Sequence, residues 1–67
     1  MEKNWVKIRA FNKIYLGEIA KEVLLDNGIN AVVINKQAST HLDFGDVEIY
    51  VAKENALKAI NYLKELN

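Results

Sequence analysis

A chain of 67 residues with no cysteine and one histidine cannot contain a disulfide, a thiolate nucleophile or a cysteine-ligated zinc ion. Nine basic and nine acidic side chains give a formal net charge of zero, without the basic excess of most nucleic-acid-binding domains. No window reaches the roughly 20 apolar residues of a membrane helix, and the first residues lack the apolar run of a signal peptide. We therefore expect one cytoplasmic domain, residues 1–67, with no membrane span, metal or cofactor.

The first predicted element is a strand from Trp5 to Ala10, because apolar and polar side chains alternate along it. A period of two is typical of a strand with one buried face. The face expected to point to the core carries Val6, Ile8 and Ala10, and the opposite face carries Trp5, Lys7 and Arg9.

A helix is predicted next, from about Lys13 to Asp26, with Asn12 as its N-cap. Gly28 suits the C′ position of a Schellman ending, in which Ile29 follows and contacts Leu24. Gly17, inside the helix, costs about 1 kcal/mol relative to alanine. We expect a close approach of the helix to the sheet to compensate for that cost.

The second half of the chain predicts two strands and a helix. Asn30–Asn35 is a β-branched run, and Asp46–Ala52 alternates with Val47, Ile49 and Val51 inward and Glu48 and Tyr50 outward. A closing helix is expected from about Glu54 to Leu66, with a buried stripe of Ala56, Ala59, Ile60, Leu63 and Leu66.

The order β-α-β-β-α predicts an α+β fold: a ferredoxin-like βαββα sandwich with a three-stranded antiparallel sheet and both helices on one face. The third strand would lie between the other two, which brings Glu48 near Lys7 or Arg9. The predicted core is Val6, Ile8, Leu16, Ile19, Val23, Val47, Ile49, Val51, Ile60 and Leu63.

Two stretches, "LLDNGINAVVIN" (Leu24–Asn35) and "GDVEIYVAKENALKAINYL" (Gly45–Leu63), share their order of features with a known family. They contain a long helix ending in x-x-G-I, a strand, a polar loop, G-x-V-x-hydrophobic-x-V and an acidic helix start. Over nearly its whole length the chain resembles the small bacterial domain family of unknown function whose members are described as signal-transducing proteins. Members often carry a proline after the third strand, where this chain has Lys53. The resemblance implies a non-enzymatic binding or regulatory role toward a protein partner or small ligand, without catalytic residues.

The connection Lys36–Gly45 contains residue types found in hydrolytic triads. These are Ser39, Thr40, His41 and Asp43. A triad needs three groups held in line by a rigid frame, which neighbours in one loop rarely provide. We interpret the segment as a connection with fast amide exchange, and an enzyme using Ser39–Asp43 is the weaker alternative. Because it exceeds the usual hairpin loop of about 2–5 residues, His41 and Phe44 are candidates for ligand or partner contact.

The sheet face away from the helices combines aromatic, charged and apolar groups. Its candidate contact residues are Trp5, Lys7, Arg9, Glu48 and Tyr50, joined by either Val32 and Ile34 or Ala31 and Val33. A solvated face with snorkelling lysine and arginine stems is the simplest interpretation. Among binding functions, a protein interface ranks above single-stranded nucleic-acid binding, in which exposed aromatics stack on bases.

The first strand is expected to have a bare outer edge, because no fourth strand follows the second helix in this sequence. Bare edges invite pairing unless they are blunted. Lys7 and Arg9 would blunt this edge, whereas Trp5 favours contact. We predict a homodimer, formed either by antiparallel pairing of the first strand or through the open face around Trp5 and Tyr50.

Overall fold

The computed structural model describes residues 4–36 and 46–66 and has the predicted α+β ferredoxin-like arrangement. The elements are β1 (Trp5–Phe11), α1 (Ile14–Asp26), β2 (Ala31–Asn35), β3 (Val47–Ala52) and α2 (Ala56–Leu63), with a 3₁₀ turn at Lys53–Asn55 before α2. The sheet order is β1-β3-β2, and β3 runs antiparallel to both neighbours. α1 packs mainly on β2 and β3, and α2 packs mainly on β1 and β3.

A β-bulge at Ile8 divides β1 into two parts. Lys7 pairs with Tyr50, but the next paired residue, Arg9, lies opposite Ile49. The extra residue reverses which face the following side chains occupy. The predictions that Arg9 faces outward and Ala10 inward are therefore wrong: Arg9 shares the helix-facing side with Ile49, and Ala10 is exposed on the other face.

The core lies between the sheet and the two helices. Its buried apolar residues are Phe11, Ala20, Leu24, Ile29, Ala31, Val47, Ile49, Val51, Ala59 and Leu63. Four of the ten predicted core residues are in this set, and Ile8, Leu16 and Val23 pack against it while partly exposed. Val6 is half-buried.

The predictions for Ile19 and Ile60 are wrong, because these side chains are 43% and 47% exposed. Their neighbours Ala20 and Ala59 are fully buried instead. Small residues at these contacts let the helix backbones approach the sheet. A residue one step along a helix is turned by about 100° from that contact line, so Ile19 and Ile60 lie at its margin.

The C-terminal end of α1 is the predicted Schellman motif. Gly28 has a φ of 79°, its N–H donates to the Leu25 carbonyl at 3.0 Å, and the Ile29 N–H donates to the Leu24 carbonyl at 2.8 Å. The N-terminal end differs by one residue from the prediction. Lys13, with extended backbone angles, occupies the N-cap position instead of Asn12.

Gly17 lets α1 approach the sheet closely, as predicted from the presence of a glycine inside the helix. A Cβ atom built at this position would overlap Cγ1 of Val47 and contact Cγ1 of Val33. The side chain of Val47 thus occupies the space that a larger residue at position 17 would need. Gly17 sets the spacing between α1 and the sheet.

Arg9 connects β1 to the end of α2. Its Nη1 donates to the Leu63 carbonyl at 2.8 Å, its Nη2 donates to the Leu66 carbonyl, and its guanidinium lies 4.7 Å from the Phe11 ring centroid. The last carbonyls of a helix have no partner within the helix and carry partial negative charge. Arg9 therefore supplies a hydrogen bond and a favourable charge at Leu63, the last residue of α2, and a second hydrogen bond at Leu66 beyond it. The helix is shorter than the predicted Glu54–Leu66.

Candidate partner-binding face

The sheet surface opposite the helices, which we call the open face, follows from the strand register. Tyr50 pairs with Lys7 on one side and Val32 on the other, and Glu48 pairs with Ala10 and Ile34. This register decides between the two alternatives for β2, because Val32 and Ile34 lie on the open face and Ala31 and Val33 face the helices. The open face consists of Trp5, Lys7, Ala10, Val32, Ile34, Glu48, Tyr50 and Ala52, with Lys36 beyond the end of β2.

Glu48 occupies the centre of this face and is buried although it points away from the core. Its residue is only 6% exposed. Tyr50 Oη donates to Oε1 at 2.9 Å, Lys7 Nζ lies 3.5 Å from Oε2, and Lys36 Nζ lies 3.5 Å from Oε1. The predicted pairing of Glu48 with Lys7 is confirmed, and the alternative pairing with Arg9 is wrong. The Glu48 carboxylate is thus bound by Lys7 from β1, Tyr50 from β3 and Lys36 from the end of β2. We call these four residues the Glu48 cluster.

The pKa of Glu48 lies below its ordinary value of 4.5, chiefly because the Tyr50 hydroxyl donates a hydrogen bond to the carboxylate. Burial acts in the opposite direction, since it penalises the charged form. Attraction to Lys36 and Lys7, and the hydrogen bond from Lys7, lower the pKa further. Glu48 is therefore ionised at neutral pH.

The charges of the Glu48 cluster are unequally accessible to solvent. The Lys7 and Lys36 side chains are 51% and 54% exposed, whereas the Glu48 side chain is 8% exposed. Two ammonium groups and one carboxylate leave a local net charge of +1. Because the carboxylate is covered, an approaching molecule meets the two ammonium groups first.

Aromatic and aliphatic side chains surround the Glu48 cluster. Trp5 and Tyr50 are both half-buried, as are Val32 and Ile34 on β2. Tyr50 leans along β3, because its hydroxyl contacts Glu48 two residues earlier on the same strand. The open face therefore has apolar and aromatic side chains around a central polar group.

The described residues contain neither a pocket nor a group of three histidine or acidic side chains that could hold a metal ion. Of the predicted contact residues, Trp5, Lys7, Glu48 and Tyr50 lie together on the open face, and Arg9 does not. His41 and Phe44, like Ser39–Asp43, lie outside the described residues.

Lys36 is a member of the site that the sequence interpretation missed. Its position is two residues after Ile34, so the alternation of β2 places it on the same face, beside Glu48. Its backbone N–H donates to the Asp46 carbonyl at 3.0 Å, which extends the β2–β3 ladder by one pair. The alternation Val32, Ile34, Lys36, continued one step past the predicted strand, would have identified Lys36 from the sequence.

No family model, curated protein or solved structure matches this chain. The family resemblance carried by Leu24–Asn35 and Gly45–Leu63 therefore stays a prediction. Within residues 4–36 and 46–66, neither helix has the length and apolar character needed to cross a membrane.

Proposed function

We propose that this chain is a non-enzymatic binding module, with a regulatory or signal-transducing role, that binds a protein partner through its open face. The observation that carries the proposal is the burial of Glu48 by its three polar neighbours at the centre of that face. The expected partner surface is acidic, with apolar side chains beside its carboxylates.

Pre-ordering supports a contact role for this face. Binding loses free energy when flexible side chains must be fixed, at about 0.5–1.5 kcal/mol for each. Tyr50, Lys7 and Lys36 are already held by Glu48 before any partner arrives. Less conformational freedom remains to be lost when a partner covers them.

The residue types on the open face support a protein partner. Tryptophan and tyrosine are enriched among the residues that dominate binding energy in protein interfaces. Trp5 and Tyr50 supply one of each, and Val32 and Ile34 add apolar area on the other side of the Glu48 cluster. Exposed Lys7 and Lys36 beside a covered carboxylate complement acidic groups on the partner.

The test is affinity capture from native extract of the source cells by the full chain and three variants. Trp5→Ala removes the aromatic contact, Lys7→Glu reverses one exposed charge, and Leu57→Ala is the control, because Leu57 lies on α2 and is 83% exposed. We expect mass spectrometry to find proteins retained by the wild type and by Leu57→Ala but lost from the other two variants. Retention that is equal for all four proteins would contradict the proposal.

Single-stranded nucleic-acid binding is the second candidate, favoured by one feature of the open face. Trp5 and Tyr50 lie on neighbouring strands on the same side of the sheet, with Lys7 and Lys36 exposed beside them. Aromatic side chains on a sheet stack on bases, and lysines contact phosphates. The buried carboxylate beneath the lysines and the zero net charge of the chain weigh against this candidate.

The fluorescence of Trp5, the only tryptophan in the chain, separates the two candidates. Saturable quenching by single-stranded oligouridine or oligothymidine, weakened by added salt and by Tyr50→Ala, would favour nucleic acid. Unchanged fluorescence with ~100 μM oligonucleotide at low salt, far above the concentration needed for a micromolar complex, would leave the protein partner.

A further inference from the structure

Within the described residues, the outer edge of β2 carries no charged residue, proline or bulge, three features that prevent strand pairing. β2 consists of Ala31–Asn35, "AVVIN", with no charged residue and no proline. Its register with β3 is regular throughout, without a bulge. Edge strands of this kind, apolar and β-branched, are templates for another strand.

The outer edge of β1 is different, because it carries two of those devices. The bulge at Ile8 interrupts its pairing register, and bulges twist an edge away from regular pairing. Lys7, with a side chain 51% exposed, places a charge beside that edge. Of the two outer strands in the described sheet, β2 is therefore the better template.

The backbone groups that β2 presents outward follow from one hydrogen bond. The Lys36 N–H donates to the Asp46 carbonyl, and the register continues from this pair to Ile34–Glu48 and Val32–Tyr50. Hydrogen-bonded pairs alternate along an antiparallel ladder. Val32 and Ile34 therefore bond to β3, while the N–H and C=O groups of Ala31 and Val33 point to the outer edge.

α1 carries exposed apolar side chains on the flank above this edge. The Gly17 position faces Val47 of β3 and, next to it, Val33 of β2. At about 100° per residue, Ile14 and Leu25 lie about 60–80° from Gly17 on one side of α1. Leu16 and Val23, which pack against the core, lie on the other side, so we infer that Ile14 and Leu25 are on the flank toward the outer edge of β2. Ile14 is 48% exposed and Leu25 is 43% exposed. The helix flank and the strand edge beneath it are therefore both suited to burial.

We propose that the chain forms a homodimer in which β2 pairs antiparallel with β2 of a second copy, about a two-fold axis near Val33. The sheet becomes continuous over six strands, and the two α1 helices lie side by side. Strands are about 4.8 Å apart, and α1 lies over β2 and β3. The two α1 axes would then be about 10 Å apart, close to the 8–10 Å spacing of packed helices.

A second copy fits this edge better than an extended peptide. A peptide could satisfy Ala31 and Val33 but would leave Ile14 and Leu25 of α1 uncovered. A second copy brings its own α1 to the same height and covers both. The zero net charge of the chain removes long-range repulsion between copies, and the two-fold axis closes the assembly at two chains.

Sedimentation equilibrium with hydrogen exchange on the full chain tests the arrangement. We expect a dimer mass at ~100 μM, and amide exchange at Val33 that slows as the protein concentration rises. The Lys7 amide should still exchange fast. The hydrogen bond from the Lys53 N–H to the Asn4 carbonyl fixes the alternation of the β1–β3 ladder, so that the Lys7 N–H points to the outer edge of β1. A monomer, or a dimer in which Val33 stays fast, would overturn the proposal.

Two lysine variants check the contribution of the helix flank. Leu25→Lys should weaken the dimer at least tenfold, whereas Leu57→Lys, on α2, should leave the dissociation constant unchanged. Both positions are exposed, and circular dichroism verifies that each variant folds. Equal effects of the two variants would contradict a contact through α1. Neither residue belongs to the open face, so this result is independent of partner capture.

Discussion

Arg9 on β1 and Leu63 on α2 are joined by a hydrogen bond of 2.8 Å between the guanidinium Nη1 and the main-chain carbonyl. The same guanidinium donates to the Leu66 carbonyl and lies over the Phe11 ring. This geometry exists because the bulge at Ile8 turns Arg9 toward the helices while Lys7 stays on the open face. Because of the extra residue Ile8, Lys7 binds Glu48 on the open face, whereas Arg9 binds the end of α2 on the opposite face.

Arg9→Ala should lower the free energy of unfolding by about 1.5–3 kcal/mol, the usual contribution of hydrogen bonds to a charged group. Lys7→Ala is the matched control, because Lys7 also pairs across the sheet but is 51% exposed. Its loss should cost at most about 1 kcal/mol. Urea denaturation of the two variants measures the difference. Similar losses for both would show that the Arg9 contacts with α2 add no stability.

Gly17→Ala should destabilise the protein, although alanine is the better helix former. The gain in helix propensity is about 1 kcal/mol. The added Cβ would overlap Val47, which is fully buried and cannot move into solvent, and such overpacking typically costs about 1–3 kcal/mol. A thermal midpoint above that of the wild type would mean that α1 can move away from the sheet at no cost.

Ionisation of Glu48 should make stability depend on pH in the acid range. Its pKa is below 4.5 in the folded protein, so it stabilises the fold above pH 4.5 and this contribution is lost as pH falls through the folded-state pKa. Carboxyl ¹³C NMR should give a pKa under 4.5 for Glu48, and Tyr50→Phe should raise it. In denaturation series from about pH 3 to about pH 6, Glu48→Gln should flatten the slope. A wild-type pKa above 4.5 would be inconsistent with the Glu48 cluster.

Truncation of Ile49 should have a much larger effect than truncation of Ile60. Ile49 is fully buried and Ile60 is 47% exposed. Ile49→Ala is expected to cost about 2–4 kcal/mol through lost burial and a cavity, and Ile60→Ala less than about 1 kcal/mol. Comparable shifts in the urea midpoint would place Ile60 in the core and contradict the described position of α2.

Local signals in the sequence predicted the fold well. The alternation in β3, the β-branched run of β2 and the glycine stop at Gly28 each depend on residues close together in the chain. The cost of Gly17 also predicted a close contact, because a glycine inside a helix needs compensation. These features required no knowledge of tertiary packing.

Features that depend on distant partners were predicted less well. The bulge at Ile8 arises from the pairing of β1 with β3, and "WVKIRA" alternates without interruption. The predicted face was therefore correct for Trp5 and Lys7 and wrong for Arg9. Ile19 and Ile60 were assigned to the core by hydrophobicity, whereas the helices pack through Gly17, Ala20 and Ala59. The sequence pattern placed Ala20 and Ala59 on the buried faces of the two helices, but the predicted core gave weight to the large apolar side chains.

The most direct test of the open face is an NMR footprint on ¹⁵N-labelled full chain, titrated with the protein that affinity capture identifies. We predict that chemical-shift changes concentrate on Trp5, Lys7, Val32, Ile34 and Tyr50, and that the exposed residues Tyr15 and Leu57 on the helices are unaffected. Shift changes centred on Tyr15 or Leu57, with Trp5 and Tyr50 unchanged, would contradict binding through the open face.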